Sequence, residues 1–199
     1  MIPTIEFCNS QIYDEKWREY FIALKKDYPP YKTLAGKIKK IEKAWEKDGE
    51  EILKEIERSS GLRWKEKKIQ CFVVGRSVAF SYPLTIMVFD DYPIDYVVDV
   101  LTHELVHQIF IQNDKRRELY DAWAYFYRKY KDEEENTIIH IPVHAIHHQV
   151  FVKLFDQKRL QREIDYAKEY PAYKRAWEIV MEKGAKNIIE EFKKRTVQS

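Results

Sequence analysis

The 199-residue chain has few of the residues that mark disordered, disulfide-rich or membrane-spanning proteins. It contains five glycines and only two cysteines, Cys8 and Cys71, while 45% of its residues are hydrophobic. This composition argues against disorder, and two cysteines far apart in the chain predict reduced, buried thiols and no disulfide. No apolar run is long enough to cross a bilayer, and no leader-like segment opens the chain. We therefore expect a globular cytoplasmic protein.

An excess of one charge sign is also missing. Lys and Arg number 35 against 33 Asp and Glu, which gives a formal net charge of +2. Nucleic acids and anionic membranes select strongly basic surfaces, so neither is an expected partner. The short basic runs at 37–40 and 193–195 are interpreted as solvated surfaces, because no aromatic residues are interleaved with them.

Histidine, in contrast, is concentrated in one part of the chain. All six histidines lie between positions 103 and 148, and the first two form the pattern H-E-x-x-H with Glu104 between His103 and His107. Residues four apart lie one above the other on a helix, so both imidazoles can share one metal ion. Glu104 then lies beside the remaining coordination position. This spacing is a signature of zinc hydrolases.

The residues around the motif predict a helix over 94–109. Apolar residues recur there at helical spacing, on the arc opposite the two histidines. They are Ile94, Val97, Val98, Leu101, Leu105 and Ile109. Such a helix packs one face against the core and presents its possible metal ligands on the other.

A third protein ligand is expected, because catalytic zinc normally has three and keeps its fourth position open. The second group of histidines lies on a helix predicted over 137–155, where all four share one stripe. These four are His140, His144, His147 and His148. His144 lies near the middle of the stripe, and we prefer it as the third ligand.

Several alternatives to His144 remain open. They are the other histidines of the stripe or a carboxylate, namely His140, His147, His148, Glu118 and Asp121. Pro142 cannot donate a hydrogen bond to the carbonyl of Ile138, so a bend is expected that turns His140 away. Histidines that do not bind the metal are expected to orient those that do.

The rest of the chain predicts short strands before the motif helix and further helices on both sides of it. The predicted strands are 2–8, 69–74, 77–82 and 84–89, and the other predicted helices are 14–26, 33–45, 48–59, 115–131, 157–169 and 171–194. We expect an α+β fold in a single domain, 1–199. It would comprise an N-terminal part, 1–47, a catalytic core, 48–156, and a C-terminal helical extension, 157–199.

Over 48–155, the order of helix, short strands, H-E-x-x-H helix and second histidine-bearing helix resembles the catalytic core of the zincin metallopeptidases. A third ligand on a separate downstream helix is similar to the gluzincin layout, although gluzincins use Glu there. The run from His148 to Phe151 is similar to the H-x-x-F/W element of SprT-like proteases. The resemblance implies a zincin-like core with a small mixed or antiparallel sheet and extra helices at both ends.

Motif and resemblance together predict a zinc-dependent metallopeptidase. Zn²⁺ held by His103, His107 and His144 would lower the pKa of water in its open position toward about 7, and Glu104 would act as general base. The strand predicted over 84–89 would bind an extended peptide along its edge, so the expected partner is a peptide or an unfolded protein. The alternatives are a zinc hydrolase of a small amide or modified peptide, as peptide deformylases are, and a non-catalytic zinc-binding regulatory protein.

Overall fold

The computed structural model describes residues 1–88 and 92–196. Within these residues the fold is α+β and mostly helical, as the sequence predicts. The strands are β1 (Thr4–Cys8), β2 (Lys68–Val74), β3 (Phe80–Ser81) and β4 (Leu84–Met87). The helices are α1 (Gln11–Ala23), α2 (Tyr31–Ser60), α3 (Ile94–Ile111), α4 (Arg117–Lys129), α5 (Glu135–Leu154), α6 (Gln157–Ala167), α7 (Pro171–Lys183) and α8 (Ala185–Thr196).

The chain forms two compact units. The sheet unit consists of residues 2–50 and 66–108, which include the four strands, α1 and most of α3. The helical unit consists of Met1, residues 51–65 and the chain from Ile109 onward, which includes α4 to α8. The H-E-x-x-H motif therefore belongs to the sheet unit and the histidines of α5 to the helical unit. That the two units make one domain stays a prediction from the sequence.

The sheet is mixed, with strand order β1-β2-β4-β3. β2 runs parallel to both β1 and β4, while β3 runs antiparallel to β4. β4 therefore lies inside the sheet, and the expectation that this strand offers an open edge to a substrate is wrong. Its residues Leu84, Thr85 and Ile86 are buried, and Thr85 has a partner in β2 on one side and in β3 on the other. The edge strand next to it is β3, which is shorter than the strand predicted over 77–82. Phe89, in the strand predicted over 84–89, lies outside the described residues.

Both thiols are free, as predicted. Cys71 on β2 is buried, whereas Cys8 on β1 is only partly buried. Burial raises the pKa of the Cys71 thiol well above its usual range, which disfavours the reactive thiolate. In the part of the chain that the structure describes, we find no helix with the length and apolar character needed to span a bilayer.

The two helices predicted over 33–45 and 48–59 are one continuous helix, α2. Gly49 lies in its interior and is buried. A Cβ atom built at Gly49 would overlap the indole ring of Trp45, one turn earlier. The glycine therefore serves to let this ring pack against the helix backbone and does not end the helix.

We expect Gly49→Ala to destabilise the protein by about 1–3 kcal/mol, because the new methyl group displaces the Trp45 indole from its packed position. Gly36→Ala, also inside α2, is the matched control, since a Cβ there has no neighbour within 4 Å. Alanine is the better helix former, so this control should gain about 0.5–1 kcal/mol. Urea unfolding of both variants measures the difference. Changes of the same sign would contradict the packing role of Gly49.

In the helical unit, the single helix predicted over 171–194 is in fact two helices, α7 and α8. Gly184 ends α7 with a φ of 82°, in the left-handed region that glycine adopts without steric cost. Trp177 and Val180 on α7 and Ile188 on α8 are buried. The turn at Gly184 therefore gives two short helices whose apolar sides are both buried in this unit.

Candidate metal centre

Two imidazoles on α3 lie at a separation that suits a shared metal ion. The Nε2 atoms of His103 and His107 are 3.3 Å apart. Two nitrogen ligands about 2.0–2.1 Å from one tetrahedral zinc ion lie about 3.3–3.4 Å from each other. The donor set of the motif therefore fits zinc in both chemistry and spacing.

The predicted apolar arc of α3 explains why these histidines are held in place. Val97, Val98, Leu101 and Leu105 are buried, and the helix extends over the whole predicted segment. His103 itself is only 7% exposed, while His107 is half-buried. Because the buried apolar residues hold α3 in place, the backbone positions of His103 and His107 are fixed, and this limits the positions that their rings can take.

Glu104, between the two histidines, is a buried carboxylic acid that accepts a side-chain hydrogen bond. It is 7% exposed, and its Oε2 accepts a hydrogen bond of 2.7 Å from the Ser81 hydroxyl. Burial raises the pKa of Glu104 to about 7, although the hydrogen bond from Ser81 opposes this shift. A carboxyl group with a pKa near neutrality can both accept and release a proton, as a general base requires.

Two hydrogen bonds join the edge strand β3 to the motif helix. Ser81 donates through its hydroxyl to Glu104, and its backbone carbonyl accepts a hydrogen bond from the side-chain amide of Gln108. These bonds place the edge of the sheet directly beside the candidate base. The sequence analysis identified neither residue. No motif or spacing in the sequence points to Ser81. Gln108 stands out only because it is a polar residue that directly follows the motif on a buried helix.

The four histidines of α5 lie in the helical unit, on a helix that continues through Pro142. His140, His144 and His147 are buried, and His148 is half-buried. His140 Nδ1 lies 2.7 Å from the carbonyl oxygen of Asn136, one turn earlier. Since a carbonyl only accepts, Nδ1 carries the proton and the neutral ring has its lone pair on Nε2. Burial lowers the pKa of His140 to about 4, which keeps this ring neutral at pH 7.

His144, the preferred third ligand, is completely buried and is held by aromatic residues of α7. Its ring stacks on Trp177, with centroids 4.5 Å apart and an angle of 16° between the planes. Tyr173 meets the same ring edge-on at 5.8 Å. These contacts fix the orientation of the His144 ring, but its part in metal binding stays a prediction.

His147 has an acidic neighbour that the sequence did not suggest. Its Nδ1 lies 3.8 Å from the Glu163 carboxylate on α6. A carboxylate beside an imidazole is the arrangement that orients histidines in many metal sites. Glu163 lies on an amphipathic helix without any motif, so nothing in the sequence singled it out.

The two carboxylates considered as third ligands have arginine neighbours on α4 or at its start. Glu118 lies 3.6 Å from Arg116, and Asp121, which is largely exposed, lies 3.9 Å from Arg117. That either carboxylate is the third ligand stays a prediction from the sequence.

The structure thus brings His103, Glu104 and His107 together in the sheet unit, with Ser81 and Gln108 beside them. Imidazole nitrogens are ligands that suit zinc and other transition metals, and they do not suit magnesium or calcium. No protein family model, curated protein or solved structure matches the chain.

Proposed function

We propose that this chain is a zinc-dependent metallopeptidase. The observation that carries the proposal is the 3.3 Å separation of the His103 and His107 Nε2 atoms, next to the buried Glu104 carboxyl. Imidazoles are common zinc ligands, and a zinc hydrolase needs both this pair and an adjacent base. Zinc at this position would polarise the scissile carbonyl and make the attacking water more acidic.

Glu104 supplies the proton transfer in this proposal. Its carboxylate takes the proton from the attacking water and later passes it to the leaving amine. Ser81 fixes one carboxylate oxygen by its 2.7 Å hydrogen bond, which limits the rotation of the side chain. The general base is therefore held in one orientation before the substrate arrives.

The third ligand is proposed to come from α5, and two of its histidines have specific support. His144 is the choice from the sequence, and Trp177 holds its ring in one orientation. For His140, the hydrogen bond from Nδ1 to the Asn136 carbonyl means that Nε2 would be the coordinating atom. Metal-binding histidines almost always have their second nitrogen bonded in this way.

An extended peptide is the proposed substrate. β3 is an edge strand of the sheet, and its Ser81 contacts the candidate base. A substrate strand that pairs with β3 would bring its backbone close to Glu104. Tyr82 follows β3 and is 78% exposed, so it is available to contact substrate side chains. Because edge pairing needs extended backbone, unfolded proteins and peptides fit this arrangement.

Metal binding tests the centre directly. We expect protein purified without chelator to contain one zinc ion per chain. Removing a ligand should weaken zinc binding by more than about 100-fold, since loss of a supporting partner alone costs about 10–100-fold. The measurement is zinc affinity by competition with a chromophoric chelator, for His103→Ala, His107→Ala and the α5 variants His140→Ala, His144→Ala and His148→Ala.

The α5 variants are matched controls for one another, because only the true ligand should give the large loss. Wild-type protein without zinc affinity would contradict the proposal, and the 3.3 Å separation of His103 and His107 would then be an N–H···N bond between two imidazoles. Zinc retained by all three α5 variants would overturn a third ligand at His140, His144 or His148. Zinc without cleavage of an unfolded protein would favour the non-catalytic alternative.

A further inference from the structure

A groove in the helical unit concentrates positive charge and takes no part in the proposed chemistry. Its volume is about 710 Å³, and it is lined by residues of α2, α5 and α8. Its five cationic side chains are Arg58, Lys153, Lys186, Lys193 and Lys194. Two carboxylates also line it, so the groove has a surplus of three positive charges, against +2 for the whole chain.

One of these carboxylates is already neutralised inside the groove. Glu55 is 2% exposed, and its two oxygens are 3.0 Å from the Ser59 hydroxyl and 2.8 Å from the Lys153 ammonium. Arg58 forms a further ion pair with Glu55. This carboxylate is therefore fully engaged, and it does not compete for the lysines of α8.

The positive surplus lies mainly on α8. Lys186, Lys193 and Lys194 share the face that lines the groove, with Glu190 as the one acidic residue on it. In the described part of the chain none of these three lysines forms an ion pair within 4 Å. Lysines that face one groove repel each other, and an anionic ligand would remove this cost.

We propose that this groove binds an acidic, extended peptide segment. Lys186 and Lys194 are eight residues apart on α8, about 12 Å along the axis, which an extended segment of about four residues spans. Gln149 also lines the groove, and its side-chain amide offers hydrogen bonds to a peptide backbone. Among the described lining residues no aromatic side chain is present, so the groove lacks the stacking platforms that single-stranded nucleic acids use.

Fluorescence anisotropy of a labelled octaglutamate peptide with the full chain tests this proposal. We expect saturable binding that weakens as salt is added. The variant Lys186→Glu/Lys193→Glu/Lys194→Glu should bind at least about tenfold more weakly, because three partly screened charge pairs are reversed. The matched control Lys39→Glu/Lys43→Glu/Lys47→Glu makes the same change of charge on exposed lysines of α2 and should bind as wild type does.

Other results would overturn the proposal. Equal loss in the two triple variants would make the binding an effect of total charge. An oligothymidylate that competes as strongly as octaglutamate would identify the groove as a nucleic-acid site. Absence of saturable binding to the wild type would exclude an acidic peptide.

The variant Lys186→Ala/Lys193→Ala/Lys194→Ala, checked by circular dichroism, keeps the test valid if three glutamates disturb the end of α8. A zinc chelator should leave peptide binding unchanged, which separates this site from the proposed metal centre.

Discussion

Glu104→Gln is expected to reduce cleavage of an unfolded protein by about 100-fold or more while zinc affinity stays close to that of the wild type. Glutamine has the shape of glutamate and can still accept the hydrogen bond from Ser81, but its amide cannot take a proton from water. The metal ligands His103 and His107 are unchanged. The rate therefore measures the proton transfer by itself, and the zinc affinity shows that the centre is intact.

Fluorescein-labelled casein is a suitable substrate, with initial rates measured at saturating zinc. Glu46→Gln is the matched control, because Glu46 is an exposed glutamate in the sheet unit and should have no effect on the rate. If Glu104→Gln cleaves as fast as the wild type, Glu104 is not the general base. If it loses zinc as well as activity, Glu104 acts on metal binding and the proposed division of roles is wrong.

The motif helix could be predicted because its information is local. The spacing of His103, Glu104 and His107 and the apolar arc opposite them are set by the 3.6-residue period of a helix. α3 accordingly begins at the predicted residue and ends two residues beyond the predicted end. The strands β1 and β2 were also predicted, since both are short segments with several apolar residues, and they are followed by Asn9 and Gly75.

Strand order could not be predicted, because it depends on contacts between distant residues. β4 was expected at an edge from its position before the motif helix, yet β3 returns and pairs with it.

The roles of two glycines were also not predicted from the sequence. The sequence predicts a new helix over 48–59 that contains Gly49. In the structure Gly49 lies in the interior of α2, where the Trp45 ring packs against it. Gly184 was placed inside one helix but ends α7. The sequence does not distinguish a glycine inside a helix from a glycine that ends one. The neighbouring side chains and the φ angle of the glycine distinguish them.

The second half of the candidate centre shows the same limit. A helical wheel places the α5 histidines on one stripe, but it cannot tell which ring nitrogen carries a proton. The Asn136 carbonyl decides this for His140, and Trp177 fixes the ring of His144. Neither contact has a sequence signature, since one is a backbone bond and the other joins two helices. The helical wheel therefore predicts His144 as the third ligand, and the zinc measurements on the α5 variants test that prediction.

Trp177→Ala is expected to lower the free energy of unfolding by about 3–5 kcal/mol, as is usual when a buried aromatic side chain is truncated. Trp177 is 2% exposed and stacks on His144 of α5, so its removal leaves a cavity where α7 meets α5. Its indole nitrogen has no hydrogen-bond partner among the described residues. Trp177→Phe therefore loses ring area but no hydrogen bond, and should cost only about 1–2 kcal/mol.

Urea unfolding measures both changes, with Met181→Ala as the control on the same helix. Met181 is 57% exposed, so this variant should differ from wild type by less than about 0.5 kcal/mol. A loss below about 1 kcal/mol in Trp177→Ala would mean that α7 does not depend on this contact.

The zinc affinity of Trp177→Phe tests whether Trp177 also supports metal binding. If zinc binding weakens although the protein stays folded, Trp177 positions a zinc ligand on α5, because its ring contacts both His144 and His148, and His144→Ala then shows whether that ligand is His144. If zinc affinity is unchanged and His140→Ala abolishes it, the third ligand is His140, and Trp177 serves only the packing of α7 on α5.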